Sequence, residues 1–148
     1  MSDLDQVDQL ARDLLQNTAP PARRQLMRQI AREVRKSQSD RIARQQQPDG
    51  SSFAARKARA TGASRLRDRK MFRKLRQAKY LKAGSTADEA WIGFDGRGAQ
   101  IARVHQDGLD DRPTRGAKKV RYAKRVLIGL TAPEESRSLD MILDHVAP

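Results

Sequence analysis

The chain has 148 residues, no cysteine, 37% hydrophobic residues and 4% aromatic residues. These values exclude disulfides and thiolate metal sites, and they predict one domain with a small, mostly aliphatic core. The net charge of +13 is unevenly distributed, because residues 1–18 carry −3, residues 19–82 carry +16 and residues 83–148 are neutral. A basic block between an acidic arm and a neutral region indicates that a nucleic acid or an acidic protein surface lies beside it.

Membrane insertion and export are not indicated by the sequence. No apolar run approaches the roughly 20 residues of a membrane span. The first residues, MSDLDQVDQ, are acidic and lack the basic start and apolar middle of a signal peptide. We therefore expect synthesis in the cytoplasm and no membrane partner.

The first 46 residues predict two helices that form an arm or hairpin. Apolar residues recur at intervals of three and four in the first helix: Leu4, Val7, Leu10, Ala11, Leu14 and Leu15. The segment Asn17–Pro21 ends this helix, and a proline suits the start of the next one. The second helix is predicted from about Ala22 to Gln46, and we expect the two helices to pack on each other's apolar faces.

A turn and a basic loop follow at residues 47–65. Pro48, Asp49 and Gly50 form a turn signal, because proline fixes φ and glycine accepts positive φ. The next residues are small, basic and poor in packing material, which predicts a mobile loop that becomes ordered against a partner. The candidate residues of this partner-ordered loop are Phe53, Arg56, Lys57 and Arg59.

The stretch Arg65–Lys82 carries the highest density of bases, with Asp68 as its single acid. Met71, Phe72, Leu75 and Ala78 fall at helical spacing, which predicts an apolar stripe facing a core and bases facing solvent. Contact with an anionic surface is favoured over a merely solvated helix face. Aromatic residues are few and no DNA-reading motif is visible, so contact would be to a nucleic-acid backbone or an acidic protein. The nine candidate contact residues are Arg65, Arg67, Arg69, Lys70, Arg73, Lys74, Arg76, Lys79 and Lys82.

Residues 66–148 predict a small α+β core. Tyr80–Ala83 and Ala90–Asp95 are expected to be strands, Val120–Leu130 is a further β candidate, and Ala99–Gln106 fits either a strand or a helix. A terminal helix follows a capping box at Thr131–Glu134, with one apolar face formed by Leu139, Ile142, Leu143 and Val146. The predicted fold class is α+β: an N-terminal helical arm or hairpin, a small and mostly antiparallel sheet, and a C-terminal helix. The predicted organisation is one domain over 1–148, with an arm at 1–46, a basic mobile loop at 47–65 and a core at 66–148.

Catalysis is poorly supported by the sequence. Neither His105 nor His145 has a metal-type spacing with other ligands, and structural roles are favoured for both. The glycines of Gly93–Gly98 follow neither a Walker nor a Rossmann pattern and indicate turns. The acids around Gly108 do not match a calcium loop. We predict that the protein is not an enzyme, with no catalytic residues, no cofactor and no metal.

Four stretches in this order resemble the phage virion morphogenesis family, the tail completion protein S family of Peduovirus-type contractile-tailed phages, which has relatives in Mu-like phages. They are RIARQQQPDG (41–50), RKMFRKLRQAKYLK (69–82), IARVHQDGLDDR (101–112) and VRYAKRVLIGL (120–130). The resemblance covers nearly the whole chain. One departure is Asp107, which stands where the family pattern implies an aromatic residue after His105 and Gln106.

The resemblance implies a structural virion protein without catalytic residues. It would complete the head-proximal end of a tail so that head and tail can join, acting as a homo-oligomer, expected to be a hexameric ring in the neck. The implied partners are the tail tube, the sheath or terminator proteins and the head connector proteins, and a passing contact with genomic DNA stays open. The implied locations are the tail–head junction of the virion and, during assembly, the bacterial host cytoplasm. The alternative is a basic accessory protein that binds nucleic acid without sequence specificity.

Overall fold

The structure is a computed structural model that describes residues 3–56 and 69–147. In these residues the elements follow the order α1 (Asp3–Asn17), α2 (Pro20–Ala43), β1 (Leu81–Ser85), β2 (Ala90–Phe94), α3 (Arg97–Asp107), β3 (Asp110–Asp111), β4 (Val120–Arg121) and α4 (Ala132–Val146). Helices come first and last and short strands lie between them, which confirms the predicted α+β class.

The described residues group into two compact units. The terminal unit draws on residues 3–34, 83–92 and 132–147, and the central unit draws on residues 35–56, 69–82 and 93–131. In the terminal unit, Leu26, Ile30 and Ala31 of α2 are buried. In the central unit, the core is formed by Ile42, Phe53, Leu75, Ala102 and Leu127.

The terminal unit corrects two expectations about apolar faces. Helix α1 contacts α4, and the Asn17 carbonyl lies 2.9 Å from Nε2 of His145. The apolar side chains of α1 do not pack on α2 as expected, because Leu4, Val7, Leu10 and Leu15 are all exposed. The predicted apolar face of α4 is also partly open, since Leu139 and Leu143 are exposed.

Two helix boundaries follow from proline and glycine. Helix α2 begins at Pro20, where the missing proline N–H has no helical partner in any case, and it ends at Ala43 rather than at Gln46. Residues 99–106, which fitted both strand and helix, belong to helix α3. Gly96 with φ 59° precedes α3, and Gly108 with φ 64° closes it in the left-handed conformation. The glycines therefore act as turn residues.

In the part of the chain that the structure describes, two sheets of two strands each are present. β1 and β2 are joined by four residues, a connection so short that the strands run antiparallel. Both strands were predicted, but β1 begins one residue and ends two residues later than expected, and β2 ends one residue earlier. β3 pairs antiparallel with β4, with Asp110 opposite Arg121 and Asp111 opposite Val120.

The segment 122–130 corrects a further prediction, because only Val120 and Arg121 of the proposed strand pair with another strand. Glutamine side chains bind backbone groups of residues 126–129. Gln106 accepts from the Leu127 and Ile128 amides at 2.7 and 3.2 Å and donates to the Ile128 carbonyl at 3.0 Å. Gln38 binds both the amide and the carbonyl of Gly129. Leu127 is thus buried without a sheet, because side-chain amides replace the missing neighbouring strand.

Residues 69–80 form successive turns instead of the predicted helix. Phe72 has φ 65°, which a right-handed helix does not allow. Gln45 holds the turn by accepting from the Met71 amide at 2.7 Å and donating to the Met71 carbonyl at 2.9 Å. Leu75 is buried nevertheless, and Met71 and Phe72 pack against the core. Ala78, the fourth residue of the predicted stripe, is exposed.

Candidate basic groove in the central unit

A groove of about 1190 Å³ lies in the central unit between the turns of residues 69–80, helix α3 and strand β4. We call it the basic groove. No aspartate or glutamate is among the lining residues that the structure describes. Its exposed bases are Arg69, Lys70, Arg73, Lys74, Arg97 and Arg121. Apolar and aromatic side chains lie between them: Met71, Phe72, Tyr80, Ile101, Val120 and Tyr122.

Local structure positions these side chains. The turns of 69–80 place four bases close together in sequence on one wall. The first turns of α3 add Arg97 and Ile101, and β4 adds Val120 and Arg121. Nη1 of Arg121 donates to the Gly108 carbonyl at 3.2 Å, and its Nε lies 3.4 Å from the Asp110 carboxylate. The bases therefore come from three separate parts of the chain.

Four rings continue from the core to the groove. Phe53 meets Phe72 with centroids 5.4 Å apart, Phe72 meets His105 at 4.8 Å, and His105 meets Tyr122 at 5.0 Å. All three pairs are edge-to-face, the arrangement that the ring quadrupoles favour. The stack gives the groove a rigid aromatic wall.

His105 is neutral in this setting. Burial and then the charge of Arg125 lower the pKa of His105 from 6.5 to about 4. Nη1 of Arg125 lies 3.2 Å from Nδ1 of His105. Because a guanidinium can only donate, Nδ1 accepts and the proton of the neutral ring sits on Nε2. A neutral histidine between two rings has a packing role, as the sequence favoured.

Arg125 borders the groove but is buried and engaged inside the unit. It donates to the Ala54 carbonyl at 2.7 Å and the Ala55 carbonyl at 3.0 Å. Burial and then the neighbouring charge of Arg56 lower the pKa of Arg125, while Tyr122 opposes this shift. The side chain ties residues 54–55 to the groove wall. It is not a free base for a partner.

The nine bases proposed from the sequence separate into groups. Arg69, Lys70, Arg73 and Lys74 line the groove, whereas Arg76, Lys79 and Lys82 do not. Nη1 of Arg76 donates to Ser39 Oγ at 3.3 Å, and Nζ of Lys79 lies 5.4 Å from the Tyr80 ring centroid. Arg65 and Arg67 lie outside the described residues.

The four candidate residues of the proposed partner-ordered loop also differ in their locations. Phe53 is buried in the core of the central unit. Arg56 lines the groove, and its Nη1 donates to the Arg69 carbonyl at 3.0 Å. Lys57 and Arg59 lie outside the described residues. Ordering of this loop by a partner stays a prediction.

The sequence did not identify Arg97, Arg121 and Tyr122 as groove residues. The sequence did carry a signal for Arg121 and Tyr122, because the RYAKR run at 121–125 interleaves bases with an aromatic residue. This pattern is typical of surfaces that contact an anionic partner. Arg97 carried no signal of its own, because it follows a turn and precedes a helix that was not firmly predicted. Tertiary structure brings it to the groove.

Metal chemistry and membrane insertion find no support in residues 3–56 and 69–147. There, no three histidine or acidic residues are grouped as metal ligands would be. None of the helices in the same residues is both long and apolar enough to span a membrane. A second cavity of about 570 Å³, in the terminal unit, has walls of mixed charge, including the Arg137–Glu33 ion pair at 3.1 Å. The basic groove is the more distinctive surface, because its exposed bases and apolar wall suit an anionic, partly apolar partner.

Comparison with known proteins places the chain in a family. The model of the phage virion morphogenesis family matches residues 2–147. A curated relative, "Tail completion protein S" of Escherichia phage P2, is 34% identical over 79 residues, which is 53% of this chain and 53% of that protein. The match thus spans about half the length of this relative. No solved structure matches. Since the family match covers almost every residue, the chain belongs to the phage virion morphogenesis family.

Proposed function

We propose that this chain is a structural virion protein that completes the head-proximal end of a phage tail and enables the tail to join a head. The observation that carries the proposal is the family match over residues 2–147. The phage P2 relative is a tail completion protein, which supports the assignment to this step of assembly. The protein acts in the virion at the tail–head junction, after synthesis in the host cytoplasm, and has no catalytic role.

The surface of the terminal unit supports an oligomeric working form. Leu4 is 80% exposed and Leu15 is 73% exposed on α1, and Leu143 is 64% exposed on α4. Apolar side chains exposed at helical spacing mark surfaces that another molecule covers. We propose a closed ring of identical subunits, with six copies to match a tail tube, in which neighbours bury these side chains.

The basic groove supports docking on acidic protein surfaces. No acid is among the described residues that line the groove, although Arg121 pairs with Asp110 outside the lining. The apolar wall offers area that phosphate contact alone does not need. A ring through which DNA slides is hindered by tight phosphate binding, because each neutralised phosphate adds to affinity. We therefore assign the groove to protein contact within the neck, where the neighbouring subunits of the ring are present as well as the tail tube, sheath or terminator and head connector proteins.

Electron microscopy of lysates tests the proposal. A phage or prophage deleted for this gene should give filled heads beside detached or unfinished tails, and the wild-type gene supplied in trans should restore virions. The variant R73E/K74E should fail to restore them, with titre lowered at least 100-fold and an unchanged melting temperature, because both side chains are exposed in the groove.

The matched control is K118E/K119E, which reverses two adjacent exposed bases outside the groove. It should restore normal titre. Intact virions in normal numbers from the deletion would refute tail completion. Normal titre with R73E/K74E would leave tail completion standing and remove the groove from it.

A second candidate function is favoured by one observation. Tyr80 and Tyr122 lie among the exposed bases of the groove, and aromatic rings beside bases are how single-stranded nucleic acid is held without sequence preference. DNA affinity that falls steeply with salt, together with undamaged particles on deletion, would favour a nucleic-acid-binding accessory protein.

A further inference from the structure

Helix α1 combines acidic charge with an unpartnered apolar stripe. It has 15 residues, so it is about 22 Å long. Its stripe recurs at three and four residues, and four large members of it are exposed: Leu4, Val7, Leu10 and Leu15. Asp8 lies at the margin of the stripe and pairs with Arg12 at 2.7 Å, whereas Asp5 and Asp13 lie farther round the helix. Residues 1–18 have a net charge of −3.

The basic groove has the complementary properties. Its exposed bases come without an acid among the described lining residues. Two apolar side chains in it are open to an incoming surface, since Ile101 is 49% exposed and Val120 is 38% exposed. The groove also has a large volume, about 1190 Å³. An acidic amphipathic helix that needs apolar cover is the type of ligand that such a groove accepts.

We propose that α1 of one subunit lies in the basic groove of the next subunit. The apolar stripe would meet the aromatic and aliphatic wall. Asp8 at the margin of the stripe and the net negative charge of residues 1–18 would face the arginines and lysines. The contact joins two different surfaces of the same chain, so it is heterologous, and repetition around an axis closes it into a ring. The inference rests on the proposed function, because it supplies the contact between subunits of that ring.

Disulfide cross-linking between two separately tagged copies tests the contact directly. The chain has no cysteine, so single cysteines can be introduced without background. A mixture of Leu10→Cys with Ile101→Cys, or of Leu10→Cys with Val120→Cys, should form a heterodimer under mild oxidation. The matched control is Leu10→Cys with Trp91→Cys, because Trp91 is 51% exposed but lies outside the groove. We expect at least about tenfold more heterodimer from the groove positions than from this control.

A complementation experiment asks whether the contact is head-to-tail. V7D/L10D removes the apolar stripe at two exposed positions, and R73E/K74E reverses the groove, so each variant alone should lose rings. The subunit concentration at which half of the rings dissociate should rise at least about 100-fold, because the loss of each buried apolar side chain lowers the affinity of the contact roughly tenfold or more. A mixture of the two variants retains one intact helix and one intact groove. It should therefore give 1:1 heterodimers, detected by mass photometry, and no rings.

Several results would overturn the inference. They are an equal yield of heterodimer from the control pair, no heterodimer from either groove pair, and a variant mixture that stays monomeric while circular dichroism shows both variants folded. DNA binding lost in R73E/K74E without any cross-link would assign the groove to nucleic acid instead. If V7D/L10D forms rings and restores virions, the helix contact fails while tail completion stands. Intact virions from the gene deletion would count against tail completion itself.

Discussion

Acid should destabilise this protein through His105. In the unfolded chain the ring binds a proton near pH 6.5, whereas in the folded chain the pKa of His105 is lowered to about 4 by burial and by Arg125. Between these values the unfolded state holds more protons, so the free energy of unfolding falls as pH drops through this window. From pH 7.5 to pH 5 the full shift corresponds to about 2 kcal/mol. His105 borders the groove and is only half-buried, so we expect about half of this, ~1 kcal/mol.

The assay is urea unfolding of the wild type and of His105→Gln at pH 7.5, 6.5, 5.5 and 5. Carboxylates change both curves alike, so the difference between the two proteins isolates the histidine. The wild type should lose about 1 kcal/mol more than the variant over this range. Imidazole NMR gives an independent check, because the chain has two histidines and the signal lost in His105→Gln identifies the resonance. Equal changes with pH in the free energies of unfolding of the two proteins, or a titration midpoint near pH 6.5 for that resonance, would refute the argument.

Two further predictions concern the central unit. Gln38→Leu should lower the free energy of unfolding by about 3 kcal/mol, because the buried Gln38 amide holds the half-buried amide and carbonyl of Gly129, which lose their partner. Urea unfolding measures this, and Gln25→Leu on the exposed face of α2 should change the free energy of unfolding by less than about 0.5 kcal/mol. Gly98→Ala should lower the melting temperature, equivalent to about 1–3 kcal/mol, because a new Cβ would lie 2.9 Å from Tyr80 side-chain atoms. Gly93→Ala, where a Cβ meets nothing within 4 Å, is its control, and an equal effect of both glycine variants would refute the packing argument.

The sequence determined the parts of this protein that depend on local periodicity and turn residues. Helix α1 shows spacing of three and four, Pro20 begins α2, and the strands of the β1–β2 hairpin are short and separated by turn residues. The acidic arm and the basic block follow from charge counts alone. Four stretches in order also indicated the family, which the match over residues 2–147 confirmed.

Tertiary structure decided how apolar runs satisfy their backbones. Residues 122–130 read as a strand by composition, but a strand needs a neighbour to accept and donate its hydrogen bonds. Gln38, Gln47 and Gln106 provide that neighbour from elsewhere in the chain. No local pattern shows that a distant glutamine will replace a strand. The turn at Phe72 has the same origin, since Gln45 fixes Met71 across 26 residues.

The basic groove depends on both the sequence and the tertiary structure. Base density in 69–74 was visible in the sequence, yet a base becomes part of a site only when other elements face it. Helix α3 and strand β4 bring Arg97 and Arg121 to the same groove from more than 20 residues away. Charge is a local property of the chain and can be counted from the sequence. The concave shape that concentrates it arises from long-range packing, which only the tertiary structure reveals.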